Sequence, residues 1–151
     1  MNVDTMTFIS ITRLRLRAWR FLPLFALHAM RTNVQVARAQ GFIGGAILPD
    51  RALTFWTMTA WNGAADMRAY IVSGAHLKAM PKLLHWCDEA SIVHWEQDRP
   101  DLPDWEEADR LMRSDGRPSK VRHPTPDHAG LQYRTPRTTR AVSIAPNHGA
   151  R

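Results

Sequence analysis

The clearest hydrophobic pattern lies in the middle of the chain, where two short apolar runs flank a turn. The runs cover residues 42–48 and 53–61, and the turn at residues 49–51 contains proline and aspartate. This arrangement predicts two strands joined by a turn. The second run alternates, with Trp61 on one face and Trp56 on the other, and neither face carries a charged residue. A strand of this kind should be covered on both sides.

The spacing of apolar residues predicts the other elements of the domain. Helical spacing indicates a long helix within residues 19–38, and β-formers indicate strands at residues 7–14 and 90–97. A helix at residues 64–72 and a second helical piece at residues 75–80, interrupted by a proline, lie between the third and fourth strands. The order strand-helix-strand-strand-helix-strand is that of the ferredoxin-like split βαβ arrangement.

The composition of the chain changes near residue 115. Residues 104–115 predict a short acidic helix, whereas residues 116–151 contain five prolines and few large aliphatic side chains. Such a composition is typical of extended or disordered chain. We therefore predict a folded domain over residues 1–115 and a basic tail over residues 116–151, with the piece beyond Gly130 as a loose tail.

The positive charge of the protein is concentrated in the tail. The net charge is +6, and residues 116–151 account for all of it, because the Lys/Arg and Asp/Glu residues of residues 1–115 balance. The folded domain is therefore not expected to bind nucleic acid. Within the domain, residues 1–38 are arginine-rich and residues 88–115 are acidic. These segments are expected either to contact each other, in one subunit or across a dimer, or to remain separate solvated surfaces.

Two features bear on the location of the protein. Cys87 is the only cysteine, so an intrachain disulfide is excluded, which fits a reducing cytoplasm. The apolar run at residues 21–30 superficially resembles a signal peptide, but the upstream strand and His28 argue against secretion, and the run is shorter than the ~20 residues of a spanning helix. The run could form core, a pocket wall, a dimer contact or a membrane-surface patch, with core or dimer contact favoured.

A family resemblance is carried by Gly41 before the second strand, Trp61 at the end of the third, and Ser73-Gly74-Ala75-His76 after the next helix. Over residues 7–97 the chain resembles the antibiotic-biosynthesis-monooxygenase-like families of the dimeric α+β barrel superfamily. The resemblance implies an α+β fold in which a ferredoxin-like βαββαβ domain forms a dimeric α+β barrel. A homodimer of this kind would bury the apolar sheet face that the helices leave uncovered.

The resemblance also implies a chemistry. Members of this superfamily can oxidise an electron-rich aromatic molecule without a metal or flavin, because a dry pocket and a few polar groups suffice. On this basis we expect a hydrophobic small molecule as substrate. His76 and Tyr70 are the candidate catalytic residues, Trp61, His94 and Arg13 are the candidate substrate-binding residues, and Trp56 is expected to be core. The competing interpretation is that the histidines are structural and the aromatic residues are core.

Two other functions remain open on the sequence. One is a non-catalytic small-molecule-binding or scaffold dimer. The other is a haem-binding protein, although the positions where haem-degrading relatives carry histidine and tryptophan fall here at Met80 and Tyr70. No metal is predicted, because His85 and His94 lack a recognisable ligand spacing and Cys87 has no base partner. The chain contains no phosphate loop, dinucleotide fingerprint, HExxH or CxxC motif.

Overall fold

The computed structural model describes residues 6–147. In chain order the elements are β1 (Thr7–Leu16), α1 (Leu22–Arg38), β2 (Phe42–Asp50), β3 (Thr54–Trp61), α2 (Ala64–Ile71), α3 (Gly74–Trp86), β4 (Cys87–Gln97), α4 (Trp105–Asp115), β5 (Arg117–Pro118) and β6 (Val142–Ile144). Within this part of the chain the strands form one antiparallel sheet in the order β5-β4-β1-β3-β2-β6. The four central strands and the helices that follow β1 and β3 form an α+β ferredoxin-like fold, as the sequence predicted.

Some boundaries differ from the sequence-based expectation. The turn between β2 and β3 lies at Arg51–Leu53, two residues later than predicted, with Ala52 and Leu53 in the left-handed region at φ 57° and 59°. Helix α3 continues through Pro81 as far as Trp86 instead of stopping before it. Proline removes one helical hydrogen bond and its ring crowds the carbonyl one turn earlier, but the packing of α3 against α1 and β4 holds the helix together through this position.

One face of the sheet is covered by α1, α2 and α3. Phe25 of α1 packs on Phe55 of β3 with ring centroids 4.8 Å apart. At the other end of the same strand, Trp61 packs in a buried cluster with residues of α1 and α2, among them Val36 and Met67. The three helices therefore bury the odd-numbered face of β3, and they position the predicted site residues that lie on it.

The opposite face of the sheet is covered by the chain's own C-terminal region. Trp56 belongs to a buried cluster that also contains Ala108 and Met112 of α4, and Tyr133 packs against this cluster. We call residues 102–137 the covering segment. The expectation that a single chain leaves this face exposed is therefore wrong, because the apolar stripe of α4 takes the place assigned to a second sheet. Homodimer formation stays a prediction.

The covering segment and the residues after it make fixed contacts. Thr125 donates a hydrogen bond to Glu89 over 2.7 Å, and the backbone N–H of Arg137 donates to Asp50 over 3.0 Å. Farther along, β6 pairs with β2. The expectation of a loose tail beyond Gly130 is wrong as far as β6, since these residues have partners that composition does not reveal. The proposed division of the chain at residue 115 stays a prediction.

The arginine-rich and acidic segments meet within one chain, which is one of the two alternatives that the sequence left open. Strands β1 and β4 are neighbours, which brings Arg13 to 2.8 Å from Glu89 and Arg15 to 3.3 Å from the same carboxylate. Arg15 also lies 3.8 Å from Asp88. The pairing of β1 with β4 therefore decides between the two expectations in favour of an intramolecular contact.

Candidate functional site

Three of the predicted site residues form a continuous stack on the helix-covered side of the sheet. The ring of Trp61, at the end of β3, lies 5.3 Å from the ring of Tyr70 in α2. The Tyr70 ring in turn lies 4.9 Å from the imidazole of His76, in the first turn of α3. The short connection between α2 and α3 at Val72 and Ser73 turns the chain so that these two helices present their side chains to each other.

His76 is held as a neutral imidazole. Its backbone N–H donates to the side-chain oxygen of Gln35 over 2.8 Å, and its Nδ1 lies 3.2 Å from the Ile71 carbonyl oxygen. Burial lowers the pKa of His76, and the Ile71 carbonyl opposes this effect only partly. With a proton on Nδ1 donated to Ile71, Nε2 would carry the free lone pair. Such a ring can accept a proton near neutral pH.

Tyr70 is a hydrogen-bond donor rather than a base. Its side chain is buried, and burial strongly raises the pKa of its phenol. The hydroxyl lies 3.4 Å from the Thr32 carbonyl oxygen, to which it donates. A phenol in this environment keeps its proton at neutral pH. The structure therefore allows Tyr70 to orient or donate, and leaves proton acceptance to an imidazole.

Trp61 is a core residue in this structure. It is fully buried, with the ring of Phe42 at 5.4 Å on another side from Tyr70. Its Nε1 makes no hydrogen bond to any residue within 6–147. Trp56 is also fully buried, on the opposite face, as expected for a core residue. The prediction that Trp61 contacts a ligand stays a prediction, and it requires a rearrangement of the packing over this ring.

His94 is the predicted site residue that borders an open cleft. It lies on β4 opposite Ser10 of β1, with the ring of Phe8 at 5.2 Å. The cleft has a volume of about 230 Å³ and is lined by Ile92, Val93, His94, Asp115 and Arg117. It runs along the edge of the sheet where β4 meets β5. Phe8 also packs on the cluster that contains Trp61, so its ring connects His94 with the aromatic stack.

The imidazole of His94 is neutral and has an unused nitrogen. Its Nε2 is buried and finds no hydrogen-bond partner among the residues that the structure describes. Burial lowers the pKa of His94, and the nearby charges of Arg117 and Arg68 lower it further. Buried polar atoms are usually paired. Since His94 lines the cleft, a small movement of its ring would let this nitrogen accept a hydrogen bond from a ligand hydroxyl.

Arg13 does not join the other predicted site residues. Alternation along β1 places it on the face of Ile11 and Trp56, where it lies in register with Trp56. Its guanidinium is buried, bonded to Glu89 over 2.8 Å, and stacked 4.2 Å from the ring centre of Tyr133. The substrate-binding assignment of Arg13 is thus not supported by its position. Arg13 and Ile11 are two residues apart in one predicted strand, so the sequence already placed their side chains on the same face of the sheet.

Tyr133 is the residue that the sequence did not single out. Its ring lies between two guanidiniums, those of Arg13 and Arg113 at 4.2 and 4.0 Å from its centre, and 5.5 Å from the ring of Trp56. Its hydroxyl donates to Asp109 over 2.7 Å. No local pattern marks Tyr133, because it is an isolated aromatic residue in a segment rich in arginine, threonine and proline.

A free thiol and a metal site are two further kinds of reactive centre. Cys87 is fully buried, and burial followed by the charge of Asp88 raises the pKa of its thiol to about 12. A thiol of this kind is not a nucleophile at neutral pH. Between residues 6 and 147, no group of three His, Cys, Asp or Glu side chains could hold a metal ion.

Comparison with known structures agrees with this architecture. No protein-family model and no curated protein sequence matches the chain. The chain is similar to a putative antibiotic biosynthesis monooxygenase from Nitrosomonas europaea, with 15% identity, a TM-score of 0.52, and 64% of this chain and 94% of that one covered. The chain has the fold of the antibiotic-biosynthesis-monooxygenase-like proteins.

Two further structures share this fold. One is SnoaB, a cofactor-independent oxygenase from Streptomyces nogalater, with 15% identity, a TM-score of 0.52, and coverage of 64% of this chain and 96% of that one. The other is a conserved protein from Methanosarcina mazei, with 12% identity, a TM-score of 0.55, and coverage of 61% and 93%. The similarity therefore covers nearly the whole of these proteins but leaves about a third of this chain unmatched.

Proposed function

We propose that the protein oxidises a hydrophobic, electron-rich aromatic molecule with molecular oxygen, without a metal or flavin. The observation that carries the proposal is the neutral imidazole of His94, a residue that lines the cleft and whose buried Nε2 has no hydrogen-bond partner among the described residues. A phenolic hydroxyl placed there would donate a hydrogen bond to the imidazole, and the imidazole would take the proton as general base while the ring gives electrons to oxygen. The phenolate that develops in this step is electron-rich enough to react with oxygen in a dry environment.

The proposed reaction is balanced by the substrate and one molecule of oxygen. The phenolate transfers electrons to oxygen, and a C–O bond forms at a ring carbon. Loss of the proton on that carbon and cleavage of the O–O bond leave a quinone. The second oxygen atom leaves as hydroxide, which becomes water on taking the proton held by the imidazole. The protein's part is to hold the ring and to store one proton.

The other site residues have supporting roles in this proposal. His76 and Tyr70 remain the candidate catalytic pair on the inner side, where Tyr70 would donate a hydrogen bond and His76 would accept a proton. Trp61 would form the apolar wall behind them. Arg13 is left out, because it lies on the other face of the sheet and is engaged by Glu89. Homodimer formation and a cytoplasmic location stay predictions.

Oxygen uptake with polycyclic phenols tests the proposal. We expect His94→Gln to abolish most of the activity, because glutamine can hydrogen-bond but cannot take a proton, and general base catalysis contributes typically 10²–10⁴-fold. His123→Gln, at an exposed histidine, is the matched control and should keep full activity. Folded protein without oxygen uptake on a broad phenol panel, or full activity in His94→Gln, would contradict the proposal.

A non-catalytic small-molecule-binding protein is the second candidate. This candidate is favoured by the burial of Trp61 and Tyr70. Of the candidate site residues, His94 is the one that lines the open cleft. Thermal stabilisation by a phenol, lost in His94→Gln but without oxygen uptake, would identify this case. Haem binding is tested by a Soret band on titration, and Met80, at one of the two relevant positions, is exposed on α3.

A further inference from the structure

Exposed apolar side chains are concentrated on the outer side of the helices. Six of them lie on α1 and α3, and these residues are Leu24, Leu27, Met30, Val34, Leu77 and Met80. In α1 they occupy the side of the helix opposite Phe25 and Val36, which are buried against the sheet. Met30 is 66% exposed and Val34 is 56% exposed. Helix α1 is therefore apolar on both sides, and only the inner side has a partner within the described chain.

The two helices present these side chains on one surface. They pack side by side and run in opposite directions, since Gln35 near the end of α1 bonds to Ser73 at the start of α3. Near the other end, His28 lies 3.3 Å from Lys82 and its ring is 5.5 Å from that of Trp86. We call the exposed sides of α1 and α3 the outer helix surface. Trp19, which is 73% exposed, lies three residues before the first residue of α1, at one end of this surface.

The outer helix surface is also positively charged. Neither α1 nor α3 contains an acidic residue. Five exposed basic side chains lie on these helices or on the turn before α1, and they are Arg20, Arg31, Arg38, Lys78 and Lys82. None of them forms an ion pair with another residue between 6 and 147. An apolar patch with unpaired basic residues around it marks an interaction surface for an anionic partner.

A second copy of the chain fits this surface poorly. A two-fold contact would place Arg31, Lys78 and their neighbours against the same cations of the other copy. The acidic α4 of another copy would match the charge, but its exposed side chains are polar or charged, such as Glu106, Arg110 and Ser114. Such a contact would leave the apolar side chains unmatched.

We propose that the outer helix surface docks on an anionic lipid bilayer. A bilayer surface offers negative headgroups for Arg31, Arg38, Lys78 and Lys82, and an apolar layer for the exposed side chains between them. Trp19 suits the interface, where tryptophan is favoured. No helix between residues 6 and 147 is long and apolar enough to cross a membrane, so the contact lies in the plane of the bilayer surface. This inference does not depend on the proposed oxygenase chemistry.

Vesicle flotation with the full chain tests this proposal. We expect the protein to float with vesicles of phosphatidylcholine and phosphatidylserine, and not with vesicles of phosphatidylcholine alone. Because each basic residue near an anionic surface contributes about 1 kcal/mol, Arg31→Gln and Lys78→Gln should each lower partitioning about fivefold. Arg134→Gln, at an exposed arginine of the covering segment, is the matched control and should change little.

A second pair of variants tests the apolar part of the contact. Met30→Ser should lower partitioning roughly tenfold, from the burial of one apolar side chain. Val142→Ser, at a 60% exposed valine on β6, is its control. Since the substituted residues are exposed, all variants should keep the circular dichroism spectrum of the parent protein.

Three outcomes would overturn the proposal. The first is equal flotation with both kinds of vesicle or with neither kind. The second is a loss that is as large in Arg134→Gln and Val142→Ser as in the variants of the outer helix surface. The third is a dimer in light scattering that Met30→Ser dissociates, which would assign the surface to contact between copies.

Discussion

The two tryptophans of β3 are equally well buried but are covered by different parts of the chain. Trp61 and Trp56 lie on opposite faces of β3, and both are fully buried. Trp61 is covered by α1 and α2, which belong to the ferredoxin-like unit shared with the oxygenase structures. Trp56 is covered by the covering segment, which follows β4 and lies outside that unit. Equal burial therefore does not indicate equal origin or equal role.

The polar groups on the two faces show what this difference means. On the covering-segment face, Arg13, Glu89 and Tyr133 are engaged with each other, so their charges serve the packing of the segment. On the helix-covered face, His94 is neutral and has an unpaired nitrogen beside a cleft, and His76 is neutral as well. Arg13 Nε and Trp56 Nε1 on the first face are buried and unpaired as well, so what distinguishes the second face is the cleft of about 230 Å³ that His94 lines.

The largest expected effect is on the covering-segment face. Trp56→Ala should destabilise the protein by roughly 3–5 kcal/mol, because it leaves a cavity between the sheet and α4. Urea denaturation followed by fluorescence measures the change. A loss below about 1 kcal/mol would mean that the segment is not packed on Trp56 in solution.

A smaller effect is expected from Tyr133. Tyr133→Ala should cost about 2–3 kcal/mol, since it removes the ring between two guanidiniums and the hydrogen bond to Asp109. Tyr133→Phe keeps the ring and should cost about 1 kcal/mol.

Truncation after Gly130 should likewise lower the melting temperature, whereas composition alone predicts no change. An unchanged melting temperature would mean that residues 131–147 form a loose tail that does not pack on the domain.

The acid dependence of stability should come partly from Glu89. Burial raises the pKa of this carboxyl, but hydrogen bonds from Arg13 and Thr125 outweigh burial and lower it below its usual value. A lowered folded-state pKa means that Glu89 stabilises the protein above its unfolded pKa, and that this stability is lost as the pH falls through the folded value.

Two neighbouring variants test the sign of this effect. Glu89→Gln should flatten the fall in stability below about pH 4.5, the usual pKa of glutamate. Asp88→Asn should act in the opposite direction, because burial raises the pKa of Asp88 and its charged form is disfavoured. Stability measured by denaturation from neutral to acid pH gives both slopes. Equal slopes in the two variants would contradict the pairing of Glu89 with Arg13.

A small stability effect is also expected on the helix-covered face. Trp61→Phe should cost less than about 1.5 kcal/mol, because an aromatic ring of smaller size still fills most of the space. If this face binds the ligand, the same change should weaken binding of a phenol more than it lowers stability. Unchanged binding in Trp61→Phe, together with lost binding in His94→Gln, would restrict the site to the cleft.

Much of the fold could be derived from the sequence by itself. The alternation in β3 and the helical spacing in α1 identify the type and the chain order of the elements, because apolar residues repeat every two residues in a half-buried strand and every 3.6 residues in a helix. The uncharged faces of β3 showed that both must be covered. The charge distribution left open whether the arginine-rich and acidic segments meet, whereas the grouping of Trp61, Tyr70 and His76 followed from the family resemblance.

Only the tertiary structure decided what covers each face and which site residues meet. A hydrophobic pattern states that a side chain leaves water, but it does not state which surface receives it. The partner of Trp56 could have been a second sheet, and it is α4 with Tyr133. Those contacts join residues far apart in the chain, and local composition carries no information on such pairs. The separation of Arg13 from His94 has the same cause, since their side chains lie on opposite faces of the sheet and cannot line the same site.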